Sequence, residues 1–126
     1  MPTPAETVAA FVAEWGRSTE AMLESFRTYF LPDTIWENVG MCSTTGPEEA
    51  VALMQQFIDG FGLGTLDVEM VAIATSGNHV LTERVDIMRR PDGSEIMPVR
   101  VSGTFEVVDG RIVAQRDYFD TVPFRG

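Results

Sequence analysis

The chain has 126 residues, 44% of them hydrophobic and 22% charged, and its 19 acidic against 9 basic side chains give a formal net charge of -10. That length predicts one domain, residues 1–126, whose single core buries roughly two thirds of the surface the unfolded chain exposes. The acidic balance repels a polyanion and argues against a nucleic-acid partner.

One cysteine, Cys42, cannot close an internal disulfide, and one histidine, His79 in a turn-like Ser76-Gly77-Asn78-His79, is too isolated for a multi-histidine metal site. Both read as residues without a chemical role. The start, Met1-Pro2-Thr3-Pro4-Ala5-Glu6, lacks the basic and apolar regions of a signal peptide, and no run of about 20 apolar residues suggests a membrane span. The expectation is a cytoplasmic protein with no membrane partner.

From Ala5 to Trp15 the apolar positions Val8, Phe11, Val12 and Trp15 recur at helical steps. Ser18 or Thr19 then offers an N-cap for a second helix with the stripe Met22, Leu23, Phe26 and Phe30, ended by Pro32. Asp33 to Val39 reads as a short strand. After Gly46-Pro47, the run Glu48 to Ile58 is a third helix, closed at Gly60.

Beyond Gly64 the period changes to two: Leu66, Val68 and Met70 alternate in one strand, and Val80 to Met88 forms its hairpin partner. Pro91-Asp92-Gly93 turns the chain into a strand from Ile96 to Val108, and Asp109-Gly110 into a last strand from Arg111 to about Asp120. Helices followed by an antiparallel meander predict α+β architecture, with the helices on one face of a curved sheet and room for a pocket between.

Residues two apart on a strand share a face, so Arg84 and Asp86 point the same way as Val80, Thr82 and Met88. Both faces of that strand are partly apolar, and alternation alone does not say which is inside. On the last strand Val113, Gln115, Asp117 and Phe119 share a face. Two carboxylates flanking one arginine suit a reaction that removes a proton on one side of a substrate and delivers one on the other. On an exposed face the same residues form solvated ion pairs of little energy, with Arg116 or Arg111 as further partners for Asp117. Spacing leaves both readings open.

Thr82-Glu83-Arg84-Val85-Asp86, the turn at Asp92-Gly93, the strand Val99 to Val107, and Asp109-Gly110-Arg111-Ile112 leading into Gln115-Arg116-Asp117-Tyr118-Phe119-Asp120 resemble the C-terminal half of the limonene-1,2-epoxide hydrolase family. The resemblance runs from the second helix to Asp120. It implies the nuclear transport factor 2-like fold shared with SnoaL-like cyclases and ketosteroid isomerases: a cone-shaped, curved antiparallel sheet with three helices of the N-terminal half closing a deep apolar pocket. It further implies that Arg84, Asp86 and Asp117 are the Asp-Arg-Asp catalytic set.

In that family a tyrosine and an asparagine two apart on the short strand hold the attacking water. Here Ile35-Trp36-Glu37-Asn38 keeps the asparagine as Asn38 and puts Trp36 in the tyrosine's place. An indole N–H donates but cannot accept a proton. The implied activity is one-step, cofactor-free hydrolysis of a small cyclic or aryl epoxide to a vicinal diol, with Asp117 as base and Asp86 as acid. Leu66, Met70, Met88, Phe105 and Phe119 are the expected hydrophobic pocket, although core packing alone would place such residues inside.

Two other readings use the same shell. An isomerase, cyclase or lyase would abstract a carbon-bound proton, with Trp36 stacked on a substrate ring. A non-enzymatic ligand-binding or dimerisation module would bury three charged groups for no chemical return. The resemblance also implies a homodimer.

Overall fold

A computed structural model describes residues 1–125 of the chain. Three helices, α1 (Pro4–Glu14), α2 (Thr19–Tyr29) and α3 (Gly46–Phe61), accompany six strands. These are β1 (Phe30–Asn38), β2 (Cys42–Thr45), β3 (Thr65–Ser76), β4 (His79–Arg89), β5 (Glu95–Val108) and β6 (Arg111–Tyr118), followed by a single 3-10 turn, Val122–Phe124. The expected α+β class holds: one curved, unclosed sheet carries the helices on its inner face. Among the described residues no helix is long and apolar enough to cross a membrane.

Local chemistry sets the helix ends. Thr3 and Glu6 close a reciprocal capping box on α1, Glu6 N donating to Thr3 Oγ1 at 3.1 Å and Thr3 N to Glu6 Oε1 at 2.8 Å. Ser18 caps α2 through Ala21 N at 3.0 Å. α3 runs through Gly60 and stops at Gly62, whose φ of 71° is the left-handed conformation that glycine adopts without strain. Of the two glycines, only the second has that geometry, so the helix is longer than its apolar pattern indicates.

α2 is shorter than expected. Phe30 is its C-cap and already opens β1, and Pro32 lies inside that strand, in the stretch between Phe30 and Ile35 where pairing with β6 is irregular. A missing N–H is tolerated there because no ladder bond is required of it.

The sheet order is β2-β1-β6-β5-β4-β3. Four of its pairings are antiparallel, including the predicted β3–β4 and β5–β6 hairpins, the latter turning at Asp109 (φ 51°) and Gly110 (φ 75°). The fifth corrects the expectation of a wholly antiparallel sheet. β1 runs parallel to β6, pairing Trp36 with Gln115 and Asn38 with Asp117. β2, a polar strand of four residues with no hydrophobic alternation, is paired to β1 across a tight turn and was absent from the sequence pattern.

α1 packs on β3, β4 and β5, and α3 on β1 and β2. Between them Phe11 touches the rings of Trp15, Phe26, Tyr29, Phe30 and Phe105 at centroid distances of 5.1 to 6.4 Å. This aromatic cluster is the core that fixes the helices over the inner face of the sheet.

Candidate active site

The helices settle which face of β4 is inside: Val80, Thr82, Arg84, Asp86 and Met88 are buried, while Leu81 and Glu83 face out. Arg84 is 1% exposed. Its Nε donates to Asp86 Oδ1 and its Nη2 to Asp86 Oδ2, each at 3.0 Å, a bidentate grip that only a guanidinium can make. Nη2 also donates to Asp117 Oδ1 at 3.2 Å, and Nη1 to Thr82 Oγ1 at 3.1 Å. Trp15 and Phe105 place their rings 5.6 and 5.7 Å from the guanidinium carbon, so the cation is desolvated but held against π faces. The solvated ion-pair reading does not survive this burial.

Arg84 reaches Asp117 over an intervening strand. Neighbouring strands lie about 4.8 Å apart, and β5 separates β4 from β6. At the crossing point β5 presents Gly103, paired with Thr82 on one side and with Asp117 on the other. A Cβ there would collide with Arg84 Nη1 and sit 2.6 Å from Asp117 Oδ1. The glycine is what allows the three charged groups to meet.

The parallel β1–β6 pairing delivers the remaining polar groups. Trp36 Nε1 donates to Asp117 Oδ2 at 3.1 Å, and Gln115 Nε2 donates to the same oxygen at 3.0 Å. Trp36 therefore binds the carboxylate directly. Asn38 is buried and lines the cavity beside Asp117, and its Nδ2 makes a long 4.0 Å contact with Cys42 Sγ. Burial pushes the Cys42 thiol up from its ordinary value. His79 lies at the exposed start of β4, 3.6 Å from Glu106.

The two partners of the ion pair respond differently to burial. Desolvation opposes the charge on Arg84, but attraction to Asp117 and then Asp86 exceeds it, so its pKa is raised above the ordinary arginine value. Burial pushes the Asp86 carboxyl up; Arg84 opposes this by charge and hydrogen bond without cancelling it, and the charge of Asp117 adds to the rise. The asymmetry has a simple cause. Arg84 gains two anions, whereas Asp86 shares one cation and meets a second anion.

Asp86, Asp117 and Asn38 are the polar wall of a cavity of about 70 Å³ whose other walls include Trp15, Phe26, Trp36, Met54 and Phe57. Of the expected apolar lining, Leu66, Met88 and Phe119 are there. Met70 instead lines a groove between α1 and β3, and Phe105 packs under Phe11 and Arg84. Val113 does not share the inward face of Gln115 and Asp117. β6 bulges between Ile112 and Ala114, so Ile112 turns in and Val113 out. Thr82, Gly103, Gln115 and Phe124 are site residues that the sequence did not single out. Thr82 and Gln115 each lie two before a charged residue on its strand, and a glycine inside a long strand is a sign of close approach.

The family model described as the limonene-1,2-epoxide hydrolase catalytic domain matches residues 2–124. The chain belongs to the limonene-1,2-epoxide hydrolase family. Epoxide hydrolase EphG of Mycobacterium tuberculosis (strain ATCC 25618 / H37Rv) is 37% identical over 92 residues, 70% of this chain; the match spans 56% of EphG, little more than half its length. A solved limonene-1,2-epoxide hydrolase-like epoxide hydrolase from M. tuberculosis superposes with a TM-score of 0.72 at 28% identity, covering 94% of this chain and 83% of that one. A SnoaL-like protein from Shewanella denitrificans OS-217 gives 0.77 at 16% identity, covering 95% of this chain and 92% of that one, and so shares the fold alone. Within the limonene-1,2-epoxide hydrolase family, then, the chain has a buried Asp-Arg-Asp assembly and a tryptophan hydrogen-bonded to one of its carboxylates.

Proposed function

We propose that the chain hydrolyses a small hydrophobic epoxide to a vicinal diol in one acid-base step. The observation that carries the reading is the buried Asp86–Arg84–Asp117 assembly opening on an apolar cavity. One cation beside two carboxylates is neutral overall only if one of them holds a proton, and burial favours that proton on Asp86. Asp86 is thus the acid and Asp117 the base.

In the step, a water oxygen bonds to one epoxide carbon as the carbon–oxygen bond of the ring breaks. The water's proton passes to Asp117, and the Asp86 proton passes to the departing ring oxygen. Return of a proton from Asp117 to Asp86 restores the enzyme, so the chemistry calls for neither metal nor organic cofactor. A carboxylate offers about four lone-pair sites. Arg84, Trp36 and Gln115 engage three of those on Asp117, leaving one on Oδ1 for the water, with Asn38 at the same wall. Each acid-base group is worth about 10²- to 10⁴-fold in rate.

Trp36 leaves one alternative, a proton-transfer isomerase, cyclase or lyase, because its N–H is engaged by Asp117 and is not free to hold a water, although its ring stacks on Phe26 at 5.2 Å. Turnover of cyclic, terpenoid and aryl epoxides in ¹⁸O-labelled water separates the two: a singly labelled diol supports hydrolysis, and an unlabelled isomer or elimination product supports the alternative. Exposed Val71, Leu81 and Tyr118 support the homodimer as the working assembly, which light scattering would report as a doubled mass.

A further inference from the structure

Gln115 is wholly buried, and its amide is only half satisfied. Nε2 donates to Asp117 Oδ2 at 3.0 Å, while Oε1 has no hydrogen-bond partner among the described residues. Rotating the amide would not help, because it would aim the carbonyl oxygen at a carboxylate and withdraw the donor. A buried acceptor without a partner costs stability, and a shape-matched apolar side chain would remove that cost. The fold therefore holds a side chain here that its own stability does not favour.

The neighbouring positions show what the side chain does instead. β6 places Gln115 two residues before Asp117 on the same face, and β1 places Trp36 beside Gln115 in parallel register. Both N–H groups converge on one oxygen, Oδ2, while Arg84 takes Oδ1. A carboxylate held from both ends cannot rotate about its Cβ–Cγ bond, so the open position on Oδ1 keeps one direction.

We propose that Gln115 is a positioning residue: acting with Trp36, it locks the Asp117 carboxylate so that its single free acceptor site faces the attacking water. It touches neither substrate nor water. The inference rests on Asp117 serving as the base, and it extends that reading to a group that acts only through another.

The test is Gln115→Met, which keeps the volume and removes both the donor and the unpartnered acceptor. Loss of a hydrogen bond to a charged group predicts a fall in kcat of about 10- to 100-fold, with KM within about twofold of native because nothing in contact with substrate changes. The melting temperature should stay within about 3 °C of native or rise. Native kcat in Gln115→Met overturns the proposal. A fall in kcat accompanied by a large drop in melting temperature also overturns it, since Gln115 would then be packing. Asp117→Asn run in parallel separates the two levels: if it is silent while Gln115→Met is fully active, only the positioning claim falls. If Asp117→Asn keeps native kcat, the hydrolase reading falls and takes this inference with it.

Discussion

Phe11 and Arg84 are buried to the same extent, on opposite sides of one interior, and they are held there by different physics. Phe11 lies among five aromatic rings under the helices, where removing apolar surface from water is itself the stabilising term. Arg84 lies on the sheet among Asp86, Asp117 and Thr82, where attraction must first offset the desolvation of an arginine and its carboxyl partners. Buried ion pairs can often be replaced by packed hydrophobic residues at no cost in stability. The aromatic side explains why the chain folds; the charged side is explained by chemistry.

Truncating each side should separate stability from activity. The largest effect on stability is expected for Phe11→Ala, a loss of about 3–5 kcal/mol in chemical denaturation, with the folded fraction keeping most of the native kcat because Phe11 does not line the cavity and makes no hydrogen bond to the site. If that variant loses activity while still folded, the two regions are not separable as described.

Gly103→Ala acts on the other side. Its methyl group must displace Arg84 or Asp117, so we expect about 1–3 kcal/mol of destabilisation and a fall in kcat of at least tenfold, read in parallel denaturation and turnover assays. An alanine tolerated with full activity would show that the ion pairs are not held as tightly as their distances indicate.

The smallest and sharpest effect is on pH dependence. Because burial raises the Asp86 pKa in the folded state above its unfolded value of about 3.9, its contribution to stability is complete below that unfolded value and is lost as pH rises through the folded one. Activity should follow the same proton, kcat falling on the alkaline side as the acid is lost. Asp86→Asn should abolish the corresponding decline in a plot of stability against pH. A native profile with no such decline would place the proton elsewhere.

Much of this was legible in the sequence, and the gaps have physical reasons. Arg84 and Asp86 at a spacing of two needed only the strand period to share a face. The partner strand of β1 could not be read, because a parallel pairing between residues about 80 apart leaves no local trace; yet that pairing brings Trp36 to Asp117. A bulge defeated the period at Val113, where one extra residue exchanges inside for outside. Phe105 faced inward as its alternation indicated, but alternation says nothing of position along the strand, and it packs under Phe11 away from the cavity. Trp36 was visible as a departure from the family pattern. Its role as a donor to Asp117 needed the geometry.

The most direct test of the central claim is single-turnover hydrolysis by Asp117→Asn beside the native chain, with a thermal melt of each. The account predicts diol formation slowed by about 10²-fold or more in a variant that still melts cooperatively, since asparagine fills the same space. A folded Asp117→Asn variant that forms diol at the native rate would contradict it.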